Sequence, residues 1–172
     1  MRLKPMGQLY HFERSQIIAI PRAETFAFFA NPKHLEAITP EFVHFKFLRP
    51  PPSELHGGSV ISYRIRILGV PIRWQSVIES WEPPARFVDL QVKGPYSYWR
   101  HVHEFEDVGE HRTRSNDRID FALPMGPLGK IAHKLFVARM LNQIFDFRAE
   151  RLSAIVGAAT PANPGAAPAA QV

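Results

Sequence analysis

Between Val43 and Leu123 the chain repeats one pattern: short stretches of every-other-residue apolarity, cut apart by glycine and proline. Ile61, Tyr63, Ile65 and Ile67 alternate with Ser62, Arg64 and Arg66. Ile72, Trp74, Ser76, Ile78 and Ser80 alternate with Arg73, Gln75, Val77 and Glu79. In an extended strand successive side chains point to opposite faces, so each stretch predicts a strand with one apolar and one polar face. Pro50-Pro51-Pro52, Gly57-Gly58, Gly69-Val70-Pro71, Pro83-Pro84, Gly94-Pro95 and Gly109-Glu110 supply the breaks. Strands are expected at 8–19, 43–48, 61–67, 72–80, 86–92, 98–108 and 111–123.

Two interruptions are helical. Pro21 suits the first turn of a helix that runs through Phe26 and Phe29 and stops at Asn31-Pro32, because a residue before proline avoids the helical region. A second short helix, 33–38, ends at Thr39-Pro40. From Pro127 to Val156 the period changes: Leu128, Ile131, Leu135, Ala138, Leu141, Phe145, Leu152 and Ile155 form a helical stripe. At 1.5 Å per residue this helix would be roughly 45 Å long, enough to cross a sheet. Arg148 and Arg151 near its C-terminus suit the helix dipole. The order is thus α+β: a seven-stranded curved antiparallel sheet, two short helices after strand 1, and one long C-terminal helix. One helix cannot fill the concavity of such a sheet, so an internal cavity is expected.

Composition limits what this cavity protein can be. Its 172 residues suit one domain, 8–157, between an N-terminal segment, 1–7, and an Ala/Pro-rich tail, 158–172, expected to be disordered. No cysteine is present, which removes disulfides and thiolate chemistry and fits a cytoplasmic location. Neither a secretory signal nor a transmembrane stretch is recognisable. The net charge of +5 is spread over the polar faces of the strands without a basic run, so no nucleic-acid partner is expected. Weak contact with anionic membrane surfaces is compatible with that charge. No G-x-S-x-G or H-E-x-x-H occurs, and Gly126 to Lys130 lacks Walker spacing and reads as the loop that opens the long helix.

The strand following Gly94-Pro95 places Trp99, His101, His103 and Phe105 on one face, neighbours roughly 6.6 Å apart at a rise of about 3.3 Å per residue. Two imidazoles between large aromatics better suit the lining of a ligand cavity than a plain core. The inner faces give the candidate ligand-binding residues Phe45, Phe47, Tyr63, Trp74, Ile78, Phe87, Gln91, Trp99, His101, His103, Asp117 and Phe121. Polar groups among them must meet one another, water or a ligand. Three roles stay open for the histidines: a structural pair bonded to Asp117, hydrogen-bonding to a ligand, or metal binding or acid–base chemistry. His101, His103 and Asp117 are the catalytic candidates. An H-x-H spacing alone is weak evidence for a metal, so no metal and no cofactor are expected.

Several segments together resemble the SRPBCC superfamily of START domains, polyketide cyclase/aromatases and birch-pollen-allergen-like proteins. They are Ile18 to Pro21 with Phe26 and Phe28 to Pro32, His34 to Pro40, Trp81 to Asp89, Gly94 to Phe105 and Leu123 to Gly129. Within it the chain is similar to the small bacterial cyclase/dehydrase-like and coenzyme Q-binding START-type group, over residues 8–156. The resemblance implies a helix-grip fold and a small hydrophobic ligand of polyketide, quinone or lipid type. It also implies alternatives: a cyclase, aromatase or dehydratase using a pocket histidine as general base, or a non-catalytic interaction or stress-response module.

Overall fold

The computed structural model describes residues 7–124 and 136–156. The chain runs through β1 (Leu9–Ile18), α1 (Arg22–Ala30), α2 (His34–Ala37), a 3₁₀ turn (Glu41–Val43) and β2 (Lys46–Phe47). It continues through β3 (Val60–Ile67), β4 (Val70–Glu82), β5 (Arg86–Lys93), β6 (Tyr98–Asp107), β7 (Thr113–Ala122) and the closing helix α3 (Ala138–Val156). The seven strands form one antiparallel sheet in the order β1-β7-β6-β5-β4-β3-β2. β2 to β7 is a meander, while β1 crosses over to pair with β7, with Leu9 opposite Ala122 and Ile18 opposite Thr113. This is the seven-stranded α+β architecture expected from the alternation, and the helix-grip fold that the resemblance implies.

One face of the sheet carries the core. Phe12, Trp74, Trp99 and Phe121 pack with Leu141 and Phe145 of α3. A second cluster joins Phe26 of α1 to Ile78, Phe87 and Phe105, and a third joins Ile18 and Ile38 to Leu152. Leu141, Phe145 and Leu152 are spaced to lie on one side of α3, and all three are buried. The helix is fixed at β1 by an Arg14–Asp146 ion pair and by Phe12 against Phe145, ring centroids 4.9 Å apart.

Four local expectations are corrected. The strand expected at 43–48 shrinks to Lys46–Phe47, because Val43 belongs to the 3₁₀ turn and His44 adopts a left-handed φ of 47°. The turn expected at Gly69-Val70-Pro71 sits one residue earlier, at Leu68 and Gly69, with φ of 50° and 80°. Positive φ at both central residues suits a two-residue hairpin of right-handed twist. On β4 a register shift between Ile78 and Ser80 reverses the alternation. Ser80 therefore faces solvent and bonds Glu82, while Trp81 turns inward onto Phe26, ring centroids 4.9 Å apart. Arg151, read from the sequence as a dipole partner only, donates to the Ala37 carbonyl oxygen at 3.3 Å and ties α3 to α2. The first turns of the long helix, the 126–130 loop and the tail lie outside the described residues.

Candidate functional site

The sheet, α1, α2 and α3 enclose a cavity of about 180 Å³. The alternation that makes these strands amphipathic also aims their inner residues at it. Tyr63 from β3, Trp74, Ser76 and Ile78 from β4, and Phe87 and Asp89 from β5 line the sheet side, with Trp99, His101 and His103 from β6. Phe45 and Ile61 extend that wall, and Leu141, Phe145 and Arg148 of α3 face it. The α1–α2 junction contributes Phe28, Phe29 and His34. Its shape is held by His34, which donates from Nδ1 to the Phe28 carbonyl oxygen at 2.8 Å and stacks on the Phe28 ring at 4.2 Å.

Four of the residues expected to line the cavity do not. Phe121 is fully buried in the core behind Trp99, and Phe47 packs on the Phe26 cluster. Gln91 folds back on its own hairpin: its amide donates to the Tyr96 carbonyl oxygen at 2.8 Å and accepts from the Tyr96 N–H at 3.4 Å. It is a clamp on the β5–β6 turn. Asp117 is buried behind the two histidines and reaches the cavity only through them. Two residues that sequence reasoning missed belong to the wall. Asp89 shares strand parity with Phe87 and Gln91, which was signal enough to find it. Arg148, assigned only to the helix dipole, lies three residues after Phe145 and four before Leu152, so it sits on the buried stripe of α3, 9% exposed.

These residues join the histidine pair and Asp117 in one polar cluster on the wall. Strand register builds it: Asp89 on β5 pairs with His101 on β6, and Asp117 on β7 pairs with His103. A carboxylate therefore stands on each side of the imidazole pair, whose ring centroids are 3.7 Å apart. His101 donates from Nε2 to Asp117 Oδ1 at 2.8 Å, and His103 donates from Nε2 to Asp89 Oδ2 at 3.1 Å. His101 Nδ1 is 3.5 Å from Asp89 Oδ2. His103 Nδ1 is 2.9 Å from Asp117 Oδ1 but out of line, so this buried nitrogen makes no hydrogen bond. Trp74 Nε1 donates to Ser76 Oγ at 3.0 Å, and Ser76 donates on to Asp89 Oδ1 at 3.4 Å. Arg148 Nη1 is 3.9 Å from Asp117, and its guanidinium lies 4.6 Å from the Phe145 ring centroid. Phe87 stacks on His103 at 4.2 Å.

Charge in this cluster is divided unevenly. Burial pushes both carboxyls up, but the histidines outweigh it: their hydrogen bonds and charge hold Asp117 far below the usual carboxylate range and Asp89 below it. Burial pushes both imidazoles down. For His101 burial and the neighbouring His103 charge prevail, and it is lowered; for His103 the closeness of the Asp117 and Asp89 carboxylates prevails, and it is raised. Of the pair, His103 is thus the imidazole that protonates first. With His103 protonated and His101 neutral, the anions Asp89 and Asp117 balance the cations Arg148 and His103. Burial, with the Asp89 charge adding to it, pushes the Tyr63 phenol up, so it stays an O–H donor.

Solved structures share the fold. A protein of Thermus thermophilus aligns over 84% of this chain and 97% of its own, at 15% identity and a TM-score of 0.66. Ginseng major latex-like protein 151 from Panax ginseng aligns over 86% and 97%, at 13% identity and a TM-score of 0.64. The Zhui aromatase/cyclase from Streptomyces sp. R1128 aligns over 86% and 88%, at 16% identity and a TM-score of 0.58. At these identities the likeness is one of fold. No family model matches the chain, and no curated protein does. Among the described residues, no helix is long and apolar enough to cross a membrane.

Proposed function

Because the chain has the helix-grip fold of the SRPBCC superfamily, we propose that it encloses a small, mostly apolar molecule with a polar group directed at His101. The observation that carries this reading is the contrast within the cavity wall. Trp74, Trp99, Phe87, Ile78 and Phe45 are apolar surface, and the side chains of His101, His103, Asp89 and Arg148 meet at one place in it. Apolar walls hold a ligand through buried area, while a few converging polar groups orient it. At about 180 Å³ the cavity is smaller than the usual ligand pocket of roughly 300–1,000 Å³. That size favours a compact aromatic, polyketide-like ring system over a polyprenyl quinone or a long-chain lipid. The cysteine-free sequence fits a cytoplasmic carrier.

Native mass spectrometry of freshly purified protein tests the proposal directly. A co-purifying apolar molecule, or a ring compound that raises the melting temperature of wild type but not of Trp99→Ala, is expected. Protein that is empty in repeated preparations and is not stabilised by any compound of an aromatic library would refute it.

A second reading is favoured by one observation. His101 borders the cavity, is neutral, and has its far nitrogen held by Asp117. A positioned neutral imidazole beside a carboxylate can remove a proton alpha to a carbonyl, as a cyclase or dehydratase requires. If so, His101→Ala would abolish turnover of a bound ligand while its affinity changes little; equal turnover by the variant would exclude the base role.

A further inference from the structure

Three of the cluster's atoms converge as ligands of a metal ion would. Asp89 Oδ2 is 3.1 Å from His103 Nε2 and 3.5 Å from His101 Nδ1, and each of the three residues offers a ligand atom within 4.8 Å of the others. Donors held about 2.1 Å from a first-row ion stand about 3.0 Å apart in octahedral and about 3.4 Å apart in tetrahedral coordination. The two measured separations fall at those values. Asp89, His101 and His103 all line the cavity, whereas Asp117 does not.

The fourth residue completes the pattern from behind. Asp117 Oδ1 is 2.8 Å from His101 Nε2 and 2.9 Å from His103 Nδ1, the nitrogens turned away from Asp89. A carboxylate at the outer nitrogen of a ligating histidine fixes the tautomer whose lone pair faces the metal; Asp117 bonds His101 in this way and stands beside the outer nitrogen of His103. Arg148 approaches from this outer side, 3.9 Å from Asp117. Buried His103 Nδ1 has no hydrogen bond despite its proximity to Asp117.

We propose that Asp89, His101 and His103 bind a divalent first-row transition ion at the polar end of the cavity, with Asp117 orienting both imidazoles. Two imidazoles and one carboxylate suit zinc, iron, cobalt or nickel rather than calcium or magnesium. Three protein ligands leave at least one coordination position free on the cavity side, where an oxygen of a bound molecule or a water can enter. This revises the expectation of no metal, which rested on H-x-H alone. The strand pairing adds a carboxylate to each side of that motif. The site needs no organic ligand, so it stands or falls separately from the binding proposal above.

Chelator-treated wild-type protein titrated with cobalt(II) or zinc chloride provides the test. Saturation at one ion per chain is expected, with visible cobalt absorption that zinc abolishes. In ¹⁵N spectra of the imidazoles, zinc should shift Nδ1 of His101 and Nε2 of His103, leaving exposed His11 unmoved. Asp89→Asn should weaken binding by more than about 100-fold and Asp117→Asn by about 10- to 100-fold, each verified as folded by tryptophan fluorescence. Absence of saturable binding to wild type overturns the proposal, whatever the variants do. So does saturable binding that leaves both imidazoles unshifted.

Discussion

Replacing Asp117 by Asn keeps the shape of the side chain and removes one buried negative charge. That charge faces His101 Nε2 at 2.8 Å, His103 Nδ1 at 2.9 Å and Arg148 Nη1 at 3.9 Å, with the carboxylate 6% exposed. Breaking a buried ion pair from one side costs about 3–5 kcal/mol, because the partner charge is left uncompensated. Here the loss is partly relieved, since His103 can release its proton and return the cluster to neutrality. The cost should therefore fall near the lower bound, about 3 kcal/mol. Urea unfolding at neutral pH, followed through the buried Trp74 and Trp99, measures it. Adding Arg148→Met removes the stranded cation, so the double variant should be more stable than the sum of the singles by about 1–2 kcal/mol. A cost below about 1 kcal/mol for Asp117→Asn, or strict additivity with Arg148→Met, would refute the charge-balance reasoning.

Three further outcomes follow from the structure. Phe105→Ala should destabilise by about 3–5 kcal/mol in urea unfolding, since Phe105 is 2% exposed and meets Phe26, Phe29 and Phe87 at centroid distances of 5.2–6.2 Å; a loss under about 1 kcal/mol would mean that the second core cluster collapses around the gap. Gly94→Ala should cost about 1–3 kcal/mol, because a Cβ there collides with the Gln91 side chain and breaks its bonds to Tyr96; in a Gln91→Ala background the same substitution should cost little, and an undiminished cost would count against the clamp. The pH dependence carries a definite sign. His103 is raised in the folded state above its ordinary 6.5, so the stability it lends is complete below that value and is lost as pH rises through the folded one. Asp89 and Asp117 are lowered below 3.8, and their contribution is lost only as pH falls through their folded values. The urea midpoint should decline as pH rises above about 6.5, and His103→Gln should flatten that decline; an unchanged decline in the variant would remove His103 as its source.

Strand alternation made the architecture readable, because period-2 apolarity fixes both the strand and the face it buries. It also located the wall residues Tyr63, Trp74, Ile78, Phe87 and Trp99 and the histidine pair. The errors share a cause: each depends on something that periodicity does not encode. Ser80 and Trp81 exchange faces at a bulge, which shifts the register by a single residue. Gln91 has the parity of a wall residue, but a tight turn offers its amide both partners three residues beyond the strand. Phe121 and Phe47 share the parity of the wall, but Phe121 lies deeper and half-buried Phe47 packs on the Phe26 cluster, since parity gives a face and neither a depth nor a neighbour. Asp89 and Arg148 were legible from spacing alone, but charge argued for solvent. Each is stabilised inside by an opposite charge on another element, and that partnership appears only once the register is known.

The pairing of β1 with β7 has a consequence for how the molecule comes into being. Strands β3 to β7 can zip onto their predecessors as they leave the ribosome, so Asp89, His101 and Asp117 meet through neighbouring hairpins. β1 emerges first and waits for the last strand, the slow, long-range closure that lowers folding rates. α3 is anchored on β1 through Phe12 and Arg14, so it has its seat only after that closure. The floor of the hollow is therefore complete before its roof, and until β1 arrives the free edge of β7 is the nascent chain's most exposed template for mispairing with another copy.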